Sequence, residues 1–368
     1  MAGGTSWRQP RTRLTAALAL SGEALLDHLG VPPFQPRAPW WGADLQTLRD
    51  TLRPEQLPAE SAQTLPLALP GGEALLGCLD PPAAGPDGAA AADPPHALVL
   101  LLHGLGGSSR SIGLVRLCHG LRQAGFAVLR LNLRGAGAGR SLAQGTYAAH
   151  CNRDLIPALL QARRLAAGRP LLGVGLSLGG TVLLNGLLDA ASPGLLDGLA
   201  VVSSPIDLAS SSAAIGLPRN RIYERWLLQR LRQQTLADPA GLQESQRRQL
   251  QAVRSIRTFD ALITAPRWGF DSVEAYYAGA SPLGRLQSCL AEGQPERRLP
   301  PLLLVHALDD PWVPAAPAVA LSGRLRPVSP LQTVFSCAGG HNGFHGPGGS
   351  WSDLLVTRWL LDQVQGRR

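Results

Sequence analysis

The sequence contains no lysine, so all 34 of its basic side chains are arginines, against 26 acidic ones. The resulting formal net charge of +8 would suit a nucleic-acid-binding protein. The arginines are nevertheless scattered, with short pairs such as Arg163 and Arg164 and no basic run interleaved with aromatic residues. The sequence therefore predicts no nucleic-acid partner, and attraction to an anionic membrane surface or an acidic ligand stays open.

Cysteine is also scarce, with five residues that are widely spaced and never arranged as C-x-x-C. An odd number at such spacings fits neither a disulfide framework nor a zinc site. We therefore expect free thiols in a reducing compartment and no bound metal. The five residues are Cys78, Cys118, Cys151, Cys289 and Cys337.

The chain lacks an apolar run of about 18 residues, the length that a membrane-spanning helix requires. Near the N-terminus, the basic stretch RQPRTR precedes the apolar stretch LTAALALSG, but Glu23 and Asp27 follow at once. Residues 14–29 are therefore more typical of a short amphipathic helix than of a cleaved signal. These features predict a soluble, cytoplasmic protein and leave peripheral membrane contact open.

The most informative stretch that is present surrounds Ser177. The apolar segment LLGVGL leads into this serine, and the helical pattern TVLLNGLL follows it. Gly175 and Gly179 complete a G-x-S-x-G pattern, the nucleophile elbow, in which side chains at the glycine positions would collide with the neighbouring strand or helix. The pattern alone is weak, but a strand before it and a helix after it favour a nucleophile over a chance serine in a glycine-rich turn.

Strand and helix patterns alternate along most of the chain. The apolar runs that predict strands lie at residues 97–104, 126–135, 171–177, 198–207, 301–310 and 332–340. A hairpin around Gly71 and Gly72 is predicted within residues 63–80. This order predicts an α/β fold with a mostly parallel central sheet, helices on both faces and functional groups at the carboxyl ends of the strands.

Composition divides the chain into four predicted parts. They are an N-terminal arm packing on the core (1–60), the first part of the core (61–205), a helical cap insertion (206–300) and the second part of the core (301–368). The Pro-rich arm is expected to be extended and anchored by Phe34, Trp40 and Trp41. Because the insertion interrupts the sheet, we expect it to cover the site, although packing elsewhere stays open.

Two strand ends offer partners for Ser177. The run PLLLVHALDD ends in Asp309 and Asp310, and QTVFSCAGG leads directly into His341. The order Ser, Asp, His is the chain order of α/β-hydrolases, in which the histidine is the base and the acid orients it. In related sequences the acid lies four residues before a proline in a D-x-x-apolar-P turn, which favours Asp310 as the acid and leaves Asp309 to cap the turn. His341 is favoured over His345, which lies further from the strand end.

Acyl transfer also requires backbone N–H donors that stabilise the oxyanion. We expect one donor from Leu178, directly after the nucleophile, and the second from Leu105 in the glycine-rich loop that follows ALVLLLHG. His103 ends the same buried run. We interpret it as a structural histidine that hydrogen-bonds this loop.

Several motifs occur together along the chain. They are Phe34 to Trp41 with Leu45-Gln46-Thr47, the loop His103 to Ser108, Asn132 to Gly135, Gly175 to Gly180, Asp309 to Pro311, Gly339 to Phe344, and the cap residues Phe259-Asp260, Thr264 to Pro266, Gly269-Phe270 and Tyr276-Tyr277. The set resembles the YheT-type and ABHD1/ABHD3-like (AB hydrolase 4) subfamily of the α/β-hydrolases. The resemblance implies an α/β-hydrolase fold with an inserted helical cap, and a Ser-His-Asp hydrolase of carboxylic esters that uses no metal or cofactor. Residues 81–95 and 206–250 match none of these motifs, so substrate choice stays open.

These observations predict a serine hydrolase of medium-chain or lipid-like esters that acts through an acyl-enzyme on Ser177, with His341 as base and Asp310 as the orienting acid. Its expected partner is a small-molecule ester or a lipid. Apolar cap residues are candidates for an acyl pocket, although packing is the simpler role for most of them. These candidates are Trp226, Phe259, Trp268, Phe270 and Tyr276. A thioesterase or amidase with the same residues, or a non-catalytic lipid- or protein-binding scaffold, stays open.

Overall fold

The computed structural model describes residues 22–57, 62–84, 95–189, 194–291, 299–326 and 329–366. Its main sheet has eight strands in the order β1-β2-β4-β3-β5-β6-β7-β8. These are β1 (Gln63–Ala68), β2 (Ala74–Asp80), β3 (Leu98–Leu102), β4 (Ala127–Asn132), β5 (Leu171–Leu176), β6 (Gly198–Val202), β7 (Leu302–Ala307) and β8 (Leu331–Ser336), with a separate pair β9 (His345–Gly346) and β10 (Gly349–Ser350). Strands β1 and β2 run antiparallel and the rest of the main sheet is parallel. The predicted hairpin and the predicted mostly parallel sheet are both confirmed.

The inner strands are buried on both faces, which explains why their sequences are continuously apolar rather than alternating. All five residues of β3 are buried. Because side chains alternate along a strand, Leu98, Leu100 and Leu102 belong to the core on one face, and Val99 and Leu101 belong to the core on the other. Helices therefore have an apolar surface to cover on each side of the sheet.

The helices of the described residues are α1 (22–29), α2 (Ala43–Leu52), α3 (Ile112–Gln123), α4 (Asn152–Ala166), α5 (Leu178–Leu187), α6 (Leu208–Ile215), α7 (Arg221–Leu236), α8 (Glu244–Ala252), α9 (Ile256–Phe259), α10 (Ala265–Arg267), α11 (Val273–Ala280), α12 (Leu283–Leu290), α13 (Ala316–Ser322) and α14 (Trp351–Gln365). Helices α3 and α14 contribute to one core, and α4 and α5 contribute to the other. The prediction of helices on both faces is thus confirmed. Across the described ranges, every helix is too short or too polar to cross a membrane.

Residues 203–301, here called the inserted segment, lie between β6 and β7 and contain helices α6 to α12 in their described parts. A single π-helical turn over Asp260–Thr264 joins α9 to α10. Some of these helices contribute side chains to the main core, among them Tyr276 and Leu286, while α7 and α8 form a smaller core of their own with Leu228 and Leu250. We retain the division into arm, core and cap as a proposal.

The N-terminal arm is more ordered than its proline content predicts. Helix α2 was not expected, and the arm is therefore not simply extended. Phe34 packs against Phe344 and Trp351, with ring centroids 5.7 Å from each, and Trp40 is buried, whereas the side chain of Trp41 is 62% exposed and anchors nothing. Residues 14–21 of the predicted amphipathic helix, and most of the residues 81–95 that match none of the motifs, lie outside the described residues.

Candidate active site

Ser177 occupies the turn between β5 and α5 and has the strained backbone angles φ 52° and ψ −128°. Such a conformation is costly for a residue other than glycine and recurs at functional sites. The flanking glycines make the turn possible. A Cβ on Gly175 would lie 2.3 Å from the Gly180 backbone, and one on Gly179 would lie 2.4 Å from the carbonyl oxygen of Leu102. The structure therefore has the strand–turn–helix geometry that the glycine pattern predicts.

The loop after β8 brings His341 to this serine. Its Nε2 lies 2.9 Å from Ser177 Oγ, and its Nδ1 lies 2.8 Å from Asp310 Oδ2. Although burial alone would raise it, the charge of His341 and the hydrogen bond from it hold the pKa of Asp310 below its usual value. An ionised carboxylate only accepts hydrogen bonds, so Nδ1 carries the proton and Nε2 is left to accept from the serine hydroxyl. The three predicted residues are thus in hydrogen-bond contact, in an order suited to proton transfer.

Asp309 and Asp310 hold different parts of the site. Oδ1 of Asp310 accepts from the backbone N–H groups of Trp312 and Val313, at 2.8 and 2.9 Å, while its other oxygen meets His341. Asp309 Oδ1 accepts from the Gly340 N–H at 2.8 Å. The expectation that Asp309 caps the turn is therefore wrong. Asp310 itself caps the turn, and its hydrogen bonds from the Trp312 and Val313 N–H groups fix the carboxyl towards the histidine. Asp309 instead holds the loop that carries His341.

The other two histidines considered for a role are both buried. His103 Nδ1 lies 2.8 Å from the Gly104 carbonyl oxygen, and its Nε2 accepts from the Leu133 N–H at 3.3 Å, so the ring ties the loop to the strand as predicted. Burial lowers the pKa of His103 to about 4. His345 Nε2 lies 3.2 Å from Asp50 Oδ1, and the structure does not bring this ring to Ser177.

The two residues predicted to donate to an oxyanion both line the cavity around Ser177. Leu178 is the first residue of α5, where amide groups have no partner within the helix. The loop of Leu105 passes close to the nucleophile, because a Cβ on Gly104 would lie 3.4 Å from Ser177 Oγ. Tyr147 fixes this loop, since its hydroxyl accepts from the Gly106 N–H at 2.8 Å and donates to the Gly104 oxygen at 3.1 Å. Their role as an oxyanion hole stays a prediction.

Ser177 and His341 open into a cavity of about 440 Å³. Of the five apolar residues considered for an acyl pocket, Trp226 and Tyr276 line it, but Phe259, Trp268 and Phe270 do not. Phe259 packs instead in the small core of α7 and α8. Trp312 lies over the His341 ring, with centroids 4.5 Å apart and planes 26° from parallel.

All five cysteines are free thiols, and the described residues hold no cluster of three or more metal-ligating His, Cys, Asp or Glu side chains.

Residues of helix α2 position the loop that carries His341, and the sequence alone assigns them no role. The His341 N–H donates to Thr47 Oγ1 at 2.9 Å. Gln46 is fully buried, and its side chain accepts from the His345 N–H at 2.7 Å and donates to the Trp40 oxygen at 2.7 Å. The sequence signal was the Leu45-Gln46-Thr47 motif, which belongs to the resemblance but carries no recognisable chemistry by itself.

Comparison with known proteins identifies the family of the chain. The alpha/beta hydrolase family matches residues 99–352, which is more than half of the sequence. The chain belongs to the alpha/beta hydrolase family. It is 28% identical over 248 residues to the mouse (Mus musculus) protein named "Phospholipase ABHD3", covering 67% of this chain and 58% of that protein. It is also 27% identical over 278 residues to "Putative esterase YheT" of Escherichia coli, covering 73% of this chain and 78% of that one. The resemblance to the YheT and ABHD3 type is confirmed.

A solved structure supports the fold. The chain superposes on a monoglyceride lipase from Saccharomyces cerevisiae with a TM-score of 0.55 and 16% sequence identity, over 84% of this chain and 98% of that one. At that identity the likeness establishes the fold alone. The chain spans less than two thirds of the length of the ABHD3 relative that it matches, 58% of it.

Proposed function

We propose that this protein is a serine hydrolase that cleaves carboxylic esters with medium-chain or lipid-like acyl groups. The observation that carries the proposal is the His341 ring, which bridges Ser177 Oγ at 2.9 Å and Asp310 Oδ2 at 2.8 Å. The strained conformation of Ser177 and the names of the esterase and phospholipase relatives support it. Metal or cofactor chemistry has no part in the proposed steps.

In the proposed mechanism, Ser177 Oγ attacks the acyl carbonyl as its proton passes to His341 Nε2. The ring becomes an imidazolium next to the ionised carboxylate of Asp310, which stabilises that charge and keeps the ring oriented. His341 then gives the proton to the leaving alcohol, and a covalent acyl-enzyme forms. Water that loses its proton to the same nitrogen hydrolyses the acyl-enzyme. The N–H groups of Leu178 and Leu105 stabilise the oxyanion in both steps.

The wall of the cavity supports an apolar acyl group. Leu208 and Ile215 of α6, Leu227 of α7 and Ile256 of α9 all line it, together with Val202 at the end of β6. Burial of methylene groups against such a wall contributes about 0.8 kcal/mol each. A medium-length aliphatic chain therefore gains binding free energy there that acetate does not.

Exposed apolar side chains near the cavity support contact with a lipid surface. Trp226 lines the cavity and is 41% exposed, and Ile222, one turn earlier on α7, is 78% exposed. Asp44 of α2 accepts from Tyr223 Oη at 2.9 Å, so α2, with the 60% exposed Leu52, lies beside α7. A cytoplasmic location stays a prediction.

The decisive test is hydrolysis of p-nitrophenyl esters from C2 to C16 by the wild type, by Ser177→Ala and by Ser288→Ala. Ser288 lies on the exposed side of α12 and gives a matched control. We expect the wild type and the control to turn over equally, and Ser177→Ala to lose about 10³-fold or more in kcat. The preferred chain length then reports the depth of the pocket.

The same series separates the alternative functions. Turnover of thioesters or amides well above that of matched esters would replace the ester specificity but keep the role of Ser177. If the wild type is inert to every acyl substrate and does not react with a fluorophosphonate, the hydrolase proposal fails. A binding scaffold would then be the better hypothesis.

A further inference from the structure

A polar cluster interrupts the apolar wall that the inserted segment presents to the cavity. Tyr277 Oη donates to Asp260 Oδ2 at 2.9 Å and lies 2.9 Å from Ser212 Oγ. The three residues come from α11, the π-helical turn and α6, and all of them line the same cavity as Ser177. The proposed ester chemistry does not use them.

The direction of the hydrogen bonds leaves the carboxylate as the acceptor end of the cluster. Tyrosine has a single hydroxyl proton, so once Tyr277 donates to Asp260 it must accept from Ser212. The Thr264 hydroxyl also bonds the Asp260 carboxyl. A carboxylate has about four acceptor positions, so two donors from the protein leave further positions for a donor from a ligand.

Burial of the Asp260 carboxylate in this wall is unfavourable in free energy. Protein encloses it, and burial raises its pKa to about 6, yet it keeps some accessible surface because it lines the cavity. The wall of the same cavity includes the apolar side chains of Ile215 and Ile256. A plain aliphatic chain bound there would cover the carboxylate and give it no hydrogen bond in return, which is unfavourable. π-Helical turns such as Asp260–Thr264 also recur at functional sites.

We propose that Asp260, held in place by Tyr277 and Ser212, accepts a hydrogen bond from a free hydroxyl group of the substrate. The proposal rests on the function assigned to Ser177 and narrows its substrate class to hydroxylated esters. The hydroxyl has two possible sources, the acyl chain and the alcohol part of the ester. Both present the same donor to the carboxylate.

A purely structural role for the cluster makes a different prediction. If Asp260 only holds α11 against the π-helical turn, its loss lowers the turnover of all esters to the same extent. A recognition role changes the ratio between hydroxylated and plain substrates, because the hydrogen bond forms with only one of each pair. The ratio of kcat/KM values within a matched pair is therefore the informative quantity.

The test compares two matched pairs. Methyl hydroxydecanoates against methyl decanoate report a hydroxyl on the acyl chain, and 1-decanoylglycerol against propyl decanoate reports hydroxyls on the alcohol. The enzymes are the wild type, Asp260→Ala, Tyr277→Phe and the control Asp271→Ala, in which the replaced carboxylate is exposed and lies outside the cavity lining. Tyr277→Phe keeps the experiment decisive if Asp260→Ala does not fold.

We expect the wild type and Asp271→Ala to prefer the hydroxylated member of one pair by about tenfold or more in kcat/KM. Asp260→Ala removes the acceptor and should bring that ratio close to one, and Tyr277→Phe should lower it less. Turnover with no hydroxyl preference in either pair, or a preference that survives Asp260→Ala, overturns the subsite and leaves the hydrolase assignment intact.

A second measurement does not depend on turnover. Titration calorimetry of the same pairs with Ser177→Ala, with and without Asp260→Ala, measures the binding preference directly. If the wild type is inert to all esters, the proposed function fails, but a hydroxyl preference in Kd that Asp260→Ala removes still supports the subsite. Equal Kd values for the two members of each pair overturn it.

Discussion

The carboxyl edge of the sheet and the inserted segment hold their cavity residues in different ways. At the edge, backbone packing fixes the site, as where a Cβ on Gly179 would lie 2.4 Å from the carbonyl oxygen of Leu102. In the inserted segment, side chains from separate elements hold one another. Asp238, for example, lies 3.0 Å from Arg140 Nη2 and 3.4 Å from Arg267 Nη2 and accepts from the Gly145 N–H.

The difference has a consequence for function. Backbone contacts leave few alternative positions for Ser177 and His341, which suits proton transfer over distances of about 3 Å. Contacts between side chains can be exchanged one at a time without disturbing the sheet. The inserted segment is therefore the part of the molecule in which substrate preference can change while the reacting groups stay in place.

The largest expected effect separates the two neighbouring carboxylates of the sheet edge. Asp310→Asn should lower kcat by about 10³- to 10⁴-fold, because an amide facing Nδ1 no longer stabilises the protonated ring or the correct tautomer. Asp309→Asn keeps an oxygen that accepts from the Gly340 N–H, and should lower kcat by less than about tenfold. Steady-state kinetics on one p-nitrophenyl ester measure both. Equal losses in the two variants would contradict the assignment of Asp310.

The second expected effect contrasts a glycine of the elbow with a glycine of the inserted segment. Gly175→Ala forces a Cβ to within 2.3 Å of the Gly180 backbone, so the turn must open and Ser177 must move. Displacement of a reacting group by about 1 Å costs about 10²-fold in rate. In α12, Gly284 has no atom within 4 Å of an added Cβ, so Gly284→Ala should leave activity unchanged and stability equal or up to about 1 kcal/mol higher. Unchanged turnover in Gly175→Ala would show that backbone packing does not fix the nucleophile.

The sequence predicts the residues of the sheet edge better than those of the inserted segment. Backbone packing requires local sequence patterns, whereas contacts between distant side chains do not. A strand buried on both faces requires a continuous apolar run, and a tight elbow requires glycines, so β3, β5 and Ser177 leave local patterns. Asp310 and His341 follow because each comes within a few residues of the end of an apolar strand, β7 and β8 respectively. The Asp309 and Asp310 pair is ambiguous from sequence, since the choice depends on which carboxyl the turn directs to the ring.

The inserted segment and the arm leave weaker signals. The contact between Asp238 and Arg140 joins residues far apart in sequence through ordinary polar side chains, and nothing local predicts it. Trp41 is exposed although tryptophan usually packs, and Phe259 is buried but faces away from the cavity. Which side of a helix meets the cavity is decided by the packing of neighbouring helices rather than by the residue type.

The third prediction tests how the inserted segment is held. Asp238→Ala leaves Arg140 and Arg267 partly buried without their partner and should lower stability by about 3 kcal/mol. Amide hydrogen exchange should become faster in α7 and α10 and stay unchanged in β3. As a control, Glu274→Ala breaks the exposed pair with Arg257, whose side chains are 65% and 53% exposed, and should change nothing measurable. Faster exchange throughout the sheet in Asp238→Ala would show that the two regions open together.

The smallest expected effect is a pH dependence of opposite sign in the two regions. Burial raises the pKa of Asp260 from about 3.8 to about 6, so its contribution to stability is present below pH 3.8 and is lost as pH rises through 6. Burial lowers the pKa of His103 from 6.5 to about 4, so its contribution is present above pH 6.5 and is lost as pH falls through 4. Each change amounts to at most about 3 kcal/mol over the full titration, and the range between pH 4 and 7.5 captures only part of it.

Urea unfolding of the wild type, Asp260→Asn and His103→Gln between pH 4 and 7.5 measures these two slopes. The free energy of unfolding of Asp260→Asn relative to the wild type should increase as pH rises, because the variant has no carboxyl to ionise. That of His103→Gln relative to the wild type should increase as pH falls, because the variant has no ring to protonate. Any constant offset reflects packing, so only the slopes count. Parallel curves for a variant and the wild type would mean that the group titrates alike in the folded and unfolded chains, and that its burial does not control its charge.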